Sequence, residues 1–183
     1  EVEKEFKTYL QSQLNDAKKI ENIEDEAPMF GGAWKGLRPA RKVDLDDAVK
    51  TRISADSFKA LAKQITELPK EKKFFRKISK LFEDRSKMIE KDSYDWAMGE
   101  LMAYASLLAD GKRVRISGQD VQRGTFSHRH AVLTLEDSEE KYVPLAQVDG
   151  GDRFSIYNSL LSEYAVLGFE YGYALANPNA LTV

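Results

Sequence analysis

The chain has 183 residues, 42% of them hydrophobic and 32% charged, with a net charge of −2 and no cysteine. That length admits one domain, or one domain with a helical attachment, and the near-neutral charge gives no electrostatic reason to expect nucleic acid or an anionic membrane as a partner. Without cysteine there can be no disulfide, no thiolate metal site and no cysteine nucleophile, which fits a reducing compartment.

The chain opens Glu1-Val2-Glu3-Lys4-Glu5. No basic stretch followed by an apolar run marks a signal peptide, and no apolar stretch is long enough to span a bilayer. Phe6, Leu10, Leu14 and Ala17 recur at helical spacing and predict a first helix. Residues Ile23 to Ala40 hold Pro28, Gly31, Gly32, Gly36 and Pro39 and read as a loop, with Trp34 expected to anchor it. Ser54 is a suitable N-cap for a helix with Phe58, Leu61, Ala62 and Ile65 on one face, ended by Pro69. Phe74, Phe75, Ile78, Leu81, Phe82, Met88 and Ile89 predict a second amphipathic helix. Its Lys, Arg, Glu and Asp side chains read as a solvated surface.

From about Ser93 the composition changes to more Gly, Tyr and Val. Asp95 to Leu108 is apolar almost all round and predicts a buried helix stopped by Asp110-Gly111. Arg113 to Ser117 alternates as a strand, and a polar loop runs from Gly118 to about Arg129. Ala131 to Leu133 and Tyr142 to Leu145 read as two short strands around an acidic turn. Phe154 to Tyr157 is a further strand, Leu160 to Ala176 a long, mostly apolar helix, and Ala180 to Val183 the start of another strand. Strand, helix, strand in that order implies an α/β fold with a mostly parallel sheet. The expected division is a helical segment over 1–92 and an α/β domain over 93–183. The apolar strand at Val183 and the missing initiator Met suggest a piece of a longer protein.

Ligands of open α/β sheets bind outside the carboxyl ends of the strands. Two such ends are expected here, Ser117-Gly118-Gln119-Asp120 and Asn158 to Glu163. Glu163 sits at the start of the last helix, where a carboxylate is favoured by the helix dipole alone; buried among the apolar residues around it, it would mark function instead. His128 and His130 flank Arg129 in the polar loop. Imidazoles beside an arginine suit an anionic substrate, although a loop whose polar groups satisfy each other is the plainer alternative. Further ligands at metal-binding spacing are lacking, so no metal ligand is assigned. Gly168 and Gly172 lie one turn apart on one helix face, for tight packing within the domain or for a crossing between subunits.

Three stretches resemble the decarboxylating component of 2-oxoglutarate dehydrogenases. They are Ser117-Gly118-Gln119-Asp120-Val121-Gln122-Arg123-Gly124-Thr125-Phe126-Ser127-His128-Arg129-His130-Ala131-Val132-Leu133, the run from Ile156 to Ala174, and Asp95-Trp96 with Gly99-Glu100 and Tyr104 to Leu108. Weaker likeness reaches back to Trp34-Lys35-Gly36-Leu37. The resemblance implies the truncated first part of a pyrimidine-binding domain for thiamine diphosphate. It implies that Glu163, in the pattern Glu-x4-Gly-x3-Gly, shares a proton with the cofactor's ring nitrogen. His130, with His128 second, would serve substrate or acyl transfer, and Gln119 and Asp120 would neighbour the cofactor. Also implied are a homodimer, a lipoyl-bearing succinyltransferase partner, and a location in the bacterial cytoplasm or, in a eukaryote, the mitochondrial matrix. The Gly-Asp-Gly motif that would bring magnesium is absent, since Gly150-Gly151-Asp152-Arg153 does not match it. These residues are therefore expected to be inactive alone. The alternatives are a 2-oxoadipate enzyme and a non-catalytic assembly module.

Overall fold

The computed structural model describes residues 1–19, 31–46 and 48–183. Much of the loop expected from Ile23 onward, Pro28 included, lies outside the described residues. The chain forms two compact units, Glu1–Leu45 and Asp46–Val183. In the first, helix α1 (Val2–Ala17) carries the expected apolar stripe, but Phe6, Leu10 and Leu14 are all exposed. A turn of 3-10 helix at Gly32–Trp34 leaves Trp34 half-buried. Short α2 (Lys42–Asp46) is tied at its start by Arg38 and Arg41, both bonded to the Asp44 carboxylate.

The second unit begins ahead of the compositional boundary at Asp92, because α3 (Ala55–Thr66) and α4 (Arg76–Lys91) share a core with the helix and strands beyond that boundary. Ser54 Oγ accepts the Ser57 N–H at 3.1 Å, satisfying one of the orphan donors of α3. Ala62 and Ile65 of α3 pack with Met98, Leu101 and Leu108 of α5 (Trp96–Ala109). Asp95 caps α5 by accepting the Met98 N–H at 2.7 Å. Gly111, at φ +75°, turns the chain out of the helix, a left-handed conformation that costs glycine little. The burial expected of α5 holds on one side, through Ala97, Met98, Leu101, Met102, Tyr104, Ala105 and Leu108, whereas Trp96, Gly99, Ala103 and Ala109 are exposed.

Three boundaries differ from expectation, those of α4, of the hairpin and of the last helix. Phe74 and Phe75 precede α4 instead of starting it. Phe74 forms an antiparallel bridge with Leu135, and its ring meets Tyr142 edge-on at 5.7 Å. Pairing with the hairpin therefore outcompetes one more helical turn. The hairpin itself is shorter and shifted: β2 (Leu133–Thr134) pairs antiparallel with β3 (Lys141–Tyr142), and Pro144–Gln147 is a 3-10 turn.

The sheet is parallel throughout, in the order β4-β1-β5, with β1 at Arg113–Gly118, β4 at Phe154–Asn158 and β5 at Ala180–Thr182. Val114, Ile116, Phe154 and Ile156 point into the core on α5. Helix α6 (Glu163–Ala176) connects β4 to β5. It starts later than expected: Ser162 is the N-cap, so Leu160 and Leu161 stand outside it, exposed. The single buried residue of α6 is not apolar. It is Glu170.

Candidate functional site

Parallel pairing of β1 with β4 brings the two expected strand ends side by side. Gly118 is in register with Asn158, the Ser159 N–H donates to the Gly118 carbonyl at 2.8 Å, and Asn158 Oδ1 accepts the Gln122 N–H at 3.0 Å. The loop after β1 and the start of α6 thus share one rim of the sheet.

The loop from Gly118 to Ala131 is held in an unusual shape. Asp120, Ser127 and His130 all adopt positive φ, +52°, +52° and +43°, a region that costs a non-glycine residue roughly 1–3 kcal/mol. The Arg123 carbonyl accepts from both the Arg129 and His130 N–H groups, at 3.0 and 2.9 Å. Arg123 also reaches the Asp120 carboxylate and the Ser127 hydroxyl with its guanidinium. Gln119 is exposed at the outer edge, and Asp120 is half-buried and engaged by Arg123.

The two histidines share the loop but not their surroundings. Both are half-buried. His128 packs its ring over Gly124, and among the described residues its buried Nδ1 has no hydrogen-bond partner. His130 has its pKa pushed below the ordinary histidine value, first by burial and then by the nearby Arg85 and Arg123 cations.

Two residues that the sequence reading left out of the site, Arg85 and Glu100, hold this loop. Arg85 of α4 was read as part of a solvated face, yet it is only 3% exposed. Its Nη2 donates to the carbonyls of His128 and Arg129, both at 2.8 Å. Burial lowers its pKa to about 10, which still leaves it charged at neutral pH. Glu100 of α5 accepts both Nε and Nη2 of Arg129, at 3.0 and 2.7 Å, and the Tyr104 hydroxyl at 2.8 Å. Burial pushes the Glu100 carboxyl up, but the bonds from Arg129 and Tyr104 outweigh it and leave the pKa below the ordinary value. Arg129 Nη1 reaches back to the Val121 carbonyl at 2.8 Å. The signals were present in the chain. Arg85 falls in phase with Phe82 and Ile89 on the apolar stripe of α4, and Glu100 is the one ionisable carboxylate inside a helix of apolar residues.

Glu163 occupies the first turn of α6, exposed, and its carboxylate makes no hydrogen bond or ion pair among the described residues. The buried carboxylate of this helix lies two turns on. Glu170 accepts Arg115 Nε with both oxygens at 3.0 Å and the Ser117 hydroxyl at 2.6 Å. Arg115 is stacked against the rings of Tyr157, Phe169 and Tyr173, 4.9, 5.5 and 4.7 Å from the centroids. Seven residues bring a helix back to nearly the same face, to within about 20°. The Glu170 anchor on β1 therefore sets the side of α6 on which Glu163 projects. Among the described residues, no three His, Asp or Glu side chains come together as a metal cluster.

A parallel sheet whose polar and titratable groups gather at its carboxyl rim defines a ligand-binding α/β domain. More narrowly, the chain belongs to the transketolase pyrimidine-binding domain family, whose description, "Transketolase, pyrimidine binding domain", matches residues 92–183. It is 42% identical over 161 residues to a protein of Brucella anthropi named "2-oxoglutarate dehydrogenase E1 component". Proteins of the same name from Brucella ovis and Brucella canis are 41% identical over 161 residues. In each comparison the match takes in 87% of this chain and 16% of the relative's length. Arg85 and the whole of α4 up to Lys91 lie ahead of the residues that the family description covers.

Proposed function

We propose that this chain forms the aminopyrimidine-holding part of a thiamine-diphosphate-dependent enzyme that oxidatively decarboxylates 2-oxoglutarate. The observation that carries the reading is the pairing of a free carboxylate with a histidine loop on one sheet rim. Glu163 projects from the first turn of α6, and the loop bearing His128 and His130 leaves the adjacent strand. The names of the Brucella relatives support the choice of substrate.

The residues fit the cofactor's ring. Glu163 is an available proton-sharing acceptor with exposed apolar neighbours, Leu160, Leu161 and Tyr164, to cover a flat heterocycle. Bound thiamine diphosphate would supply the electron sink for loss of carbon dioxide. Glu163 would hold the ring nitrogen's proton and so set the ring's tautomer. His130, with His128 second, would donate to and exchange protons with the substrate's oxygen atoms, which suits an imidazole kept neutral by burial. Gln119 and Asp120 stand beside that space as cofactor neighbours. Magnesium and the diphosphate would be held by residues outside these 183.

A second subunit would complete the site. Tyr164, Leu167 and Tyr171 line one face of α6 and are 88%, 71% and 67% exposed. On the same face, Gly168 and Gly172 leave open space where side chains would stand. An apolar helix face of this kind suits closure by a like subunit. The same reading brings a lipoyl-bearing succinyltransferase as partner and, from the bacterial relatives, a cytoplasmic setting.

Glu163→Gln tests it in the complete enzyme that carries these residues. Turnover is expected to fall by about 10²–10⁴-fold, with the chain's fold unchanged by circular dichroism. Near-normal turnover overturns the assignment. The 183 residues alone are expected to show no thiamine-dependent decarboxylation.

A further inference from the structure

We propose that Arg85 and Glu100 are positioning residues: from two different helices they clamp the loop that presents His128 and His130, fixing its backbone in a conformation it would not hold unaided. The inference rests on the proposed role of the histidine loop and extends it to residues of α4 outside the family's matched stretch.

The case for a clamp starts from strain. Ser127 and His130, three residues apart, both sit in the left-handed region, and Asp120 opens the same loop in that region too. Such residues persist only where their surroundings over-determine them. Here the determinants are identifiable. The Arg85 guanidinium, buried and stacked 4.9 Å from the centroid of the Phe82 ring, binds the two carbonyls that lie between the strained positions, those of His128 and Arg129. The side chain of Arg129 is gripped by other elements, by Glu100 of α5 and by the Val121 carbonyl. Glu100 is itself steadied by Tyr104. Carbonyls held from α4 and a side chain held from α5 together restrict the orientation of the peptide between them.

The arrangement also explains why a cation is buried where no carboxylate bonds to it. Among the described residues Arg85 donates hydrogen bonds only to carbonyls, so these bonds fix backbone without neutralising a charge. A leucine or methionine at this point of the apolar stripe would pack as well and hold nothing. The charge has a second consequence, since Arg85 repels a proton on His130.

Amide hydrogen exchange on the 183-residue chain separates clamping from general stability. The Arg129 and His130 amides, which donate to the Arg123 carbonyl, are compared with the Val114 and Ser117 amides of β1. In Arg85→Met, protection of the loop amides is expected to fall about tenfold or more beyond any fall in β1, since charged hydrogen bonds are the ones removed. Equal loss at both places, or none, overturns the proposal. If Arg85→Met fails to fold, Glu100→Gln is read by the same ratio, and Arg85→Lys should recover part of the protection. In the complete enzyme, Arg85→Met should lower kcat by about ten- to a hundredfold with cofactor affinity unchanged, because the misplaced groups act on substrate. A loosened loop with unchanged kcat overturns the catalytic half of the proposal. It would also remove the histidines from the mechanism, and it would leave the Glu163 assignment to its own test.

Discussion

The histidine loop and the start of α6 stand on the same sheet rim, yet they are built in opposite ways. The loop is wired into its own chain: Arg85, Glu100, Arg123 and Arg129 bond its backbone carbonyls and several of its side chains from α4, α5 and within. The segment Leu160 to Tyr164 has a Ser162 cap and little else, with Leu160 fully exposed and Glu163 unbonded among the described residues. Preorganisation inside one chain suits groups that must meet a substrate at fixed angles. Open apolar surface around a bare carboxylate suits groups whose surroundings arrive from elsewhere, as the proposed cofactor and second subunit would. The difference teaches that exposure in an isolated chain does not argue against a catalytic role when the exposed residues form the edge of a shared site.

The largest expected effect comes from the anchor that links the two regions. Glu170→Ala leaves the partly buried Arg115 guanidinium without its carboxylate, which is expected to cost up to about 3–5 kcal/mol, read as a lower denaturation midpoint. Because Glu170 sets the side from which Glu163 projects, the same change in the complete enzyme should lower turnover per folded molecule. A Glu170→Ala protein of normal stability would show that the pair is screened and that α6 is aligned by apolar packing alone. A smaller effect is expected at Gly124, whose φ is +84° and whose added Cβ would lie 2.5 Å from the His128 ring. Gly124→Ala is expected to lose roughly 1–3 kcal/mol from strain and to displace the His128 imidazole, visible as a shift of that ring's resonances alone. Unshifted His128 resonances would mean that the loop accommodates the methyl group by moving its backbone.

Much of this was legible beforehand, for physical reasons that differ by element. Helix α3 was readable because the N-cap Ser54 precedes its apolar stripe, and α5 because its run is apolar almost all round; the Asp95 cap of α5 emerged only from the structure. The parallel sheet followed from strand, helix and strand in order. Phe74 and Phe75 were misplaced because helical periodicity could not register a pairing with Leu135, sixty-one residues away in the chain. Glu163, His128 and His130 were visible as unusual residues at strand ends. Arg85 and Glu170 were not, because composition treats a charge as solvated. Their burial depends on carbonyls, a serine and a stacked arginine contributed by other elements. Buried charges are best sought by phase: each of these two falls on the inward face of its helix.

The smallest effect expected is also the one most specific in sign. His130 has its pKa held below the ordinary 6.5, by burial first and then by Arg85 from α4 and Arg123 within the loop, while Asp120 pulls the other way. A group with a depressed pKa in the folded state binds its proton more readily when unfolded. Its contribution to loop stability is therefore complete above pH 6.5 and is lost as the pH falls through the folded value. Glu100 is depressed in the same sense from 4.5, so its contribution is lost only in more acid solution. Loop protection measured against β1 should thus decline in two steps on acidification, the histidine step first. His130→Asn should erase the first step and keep the second, since asparagine tolerates the left-handed backbone at that position. A single step near the carboxylate range in the wild-type chain would place His130 in open water and break the contrast between the two halves of the rim.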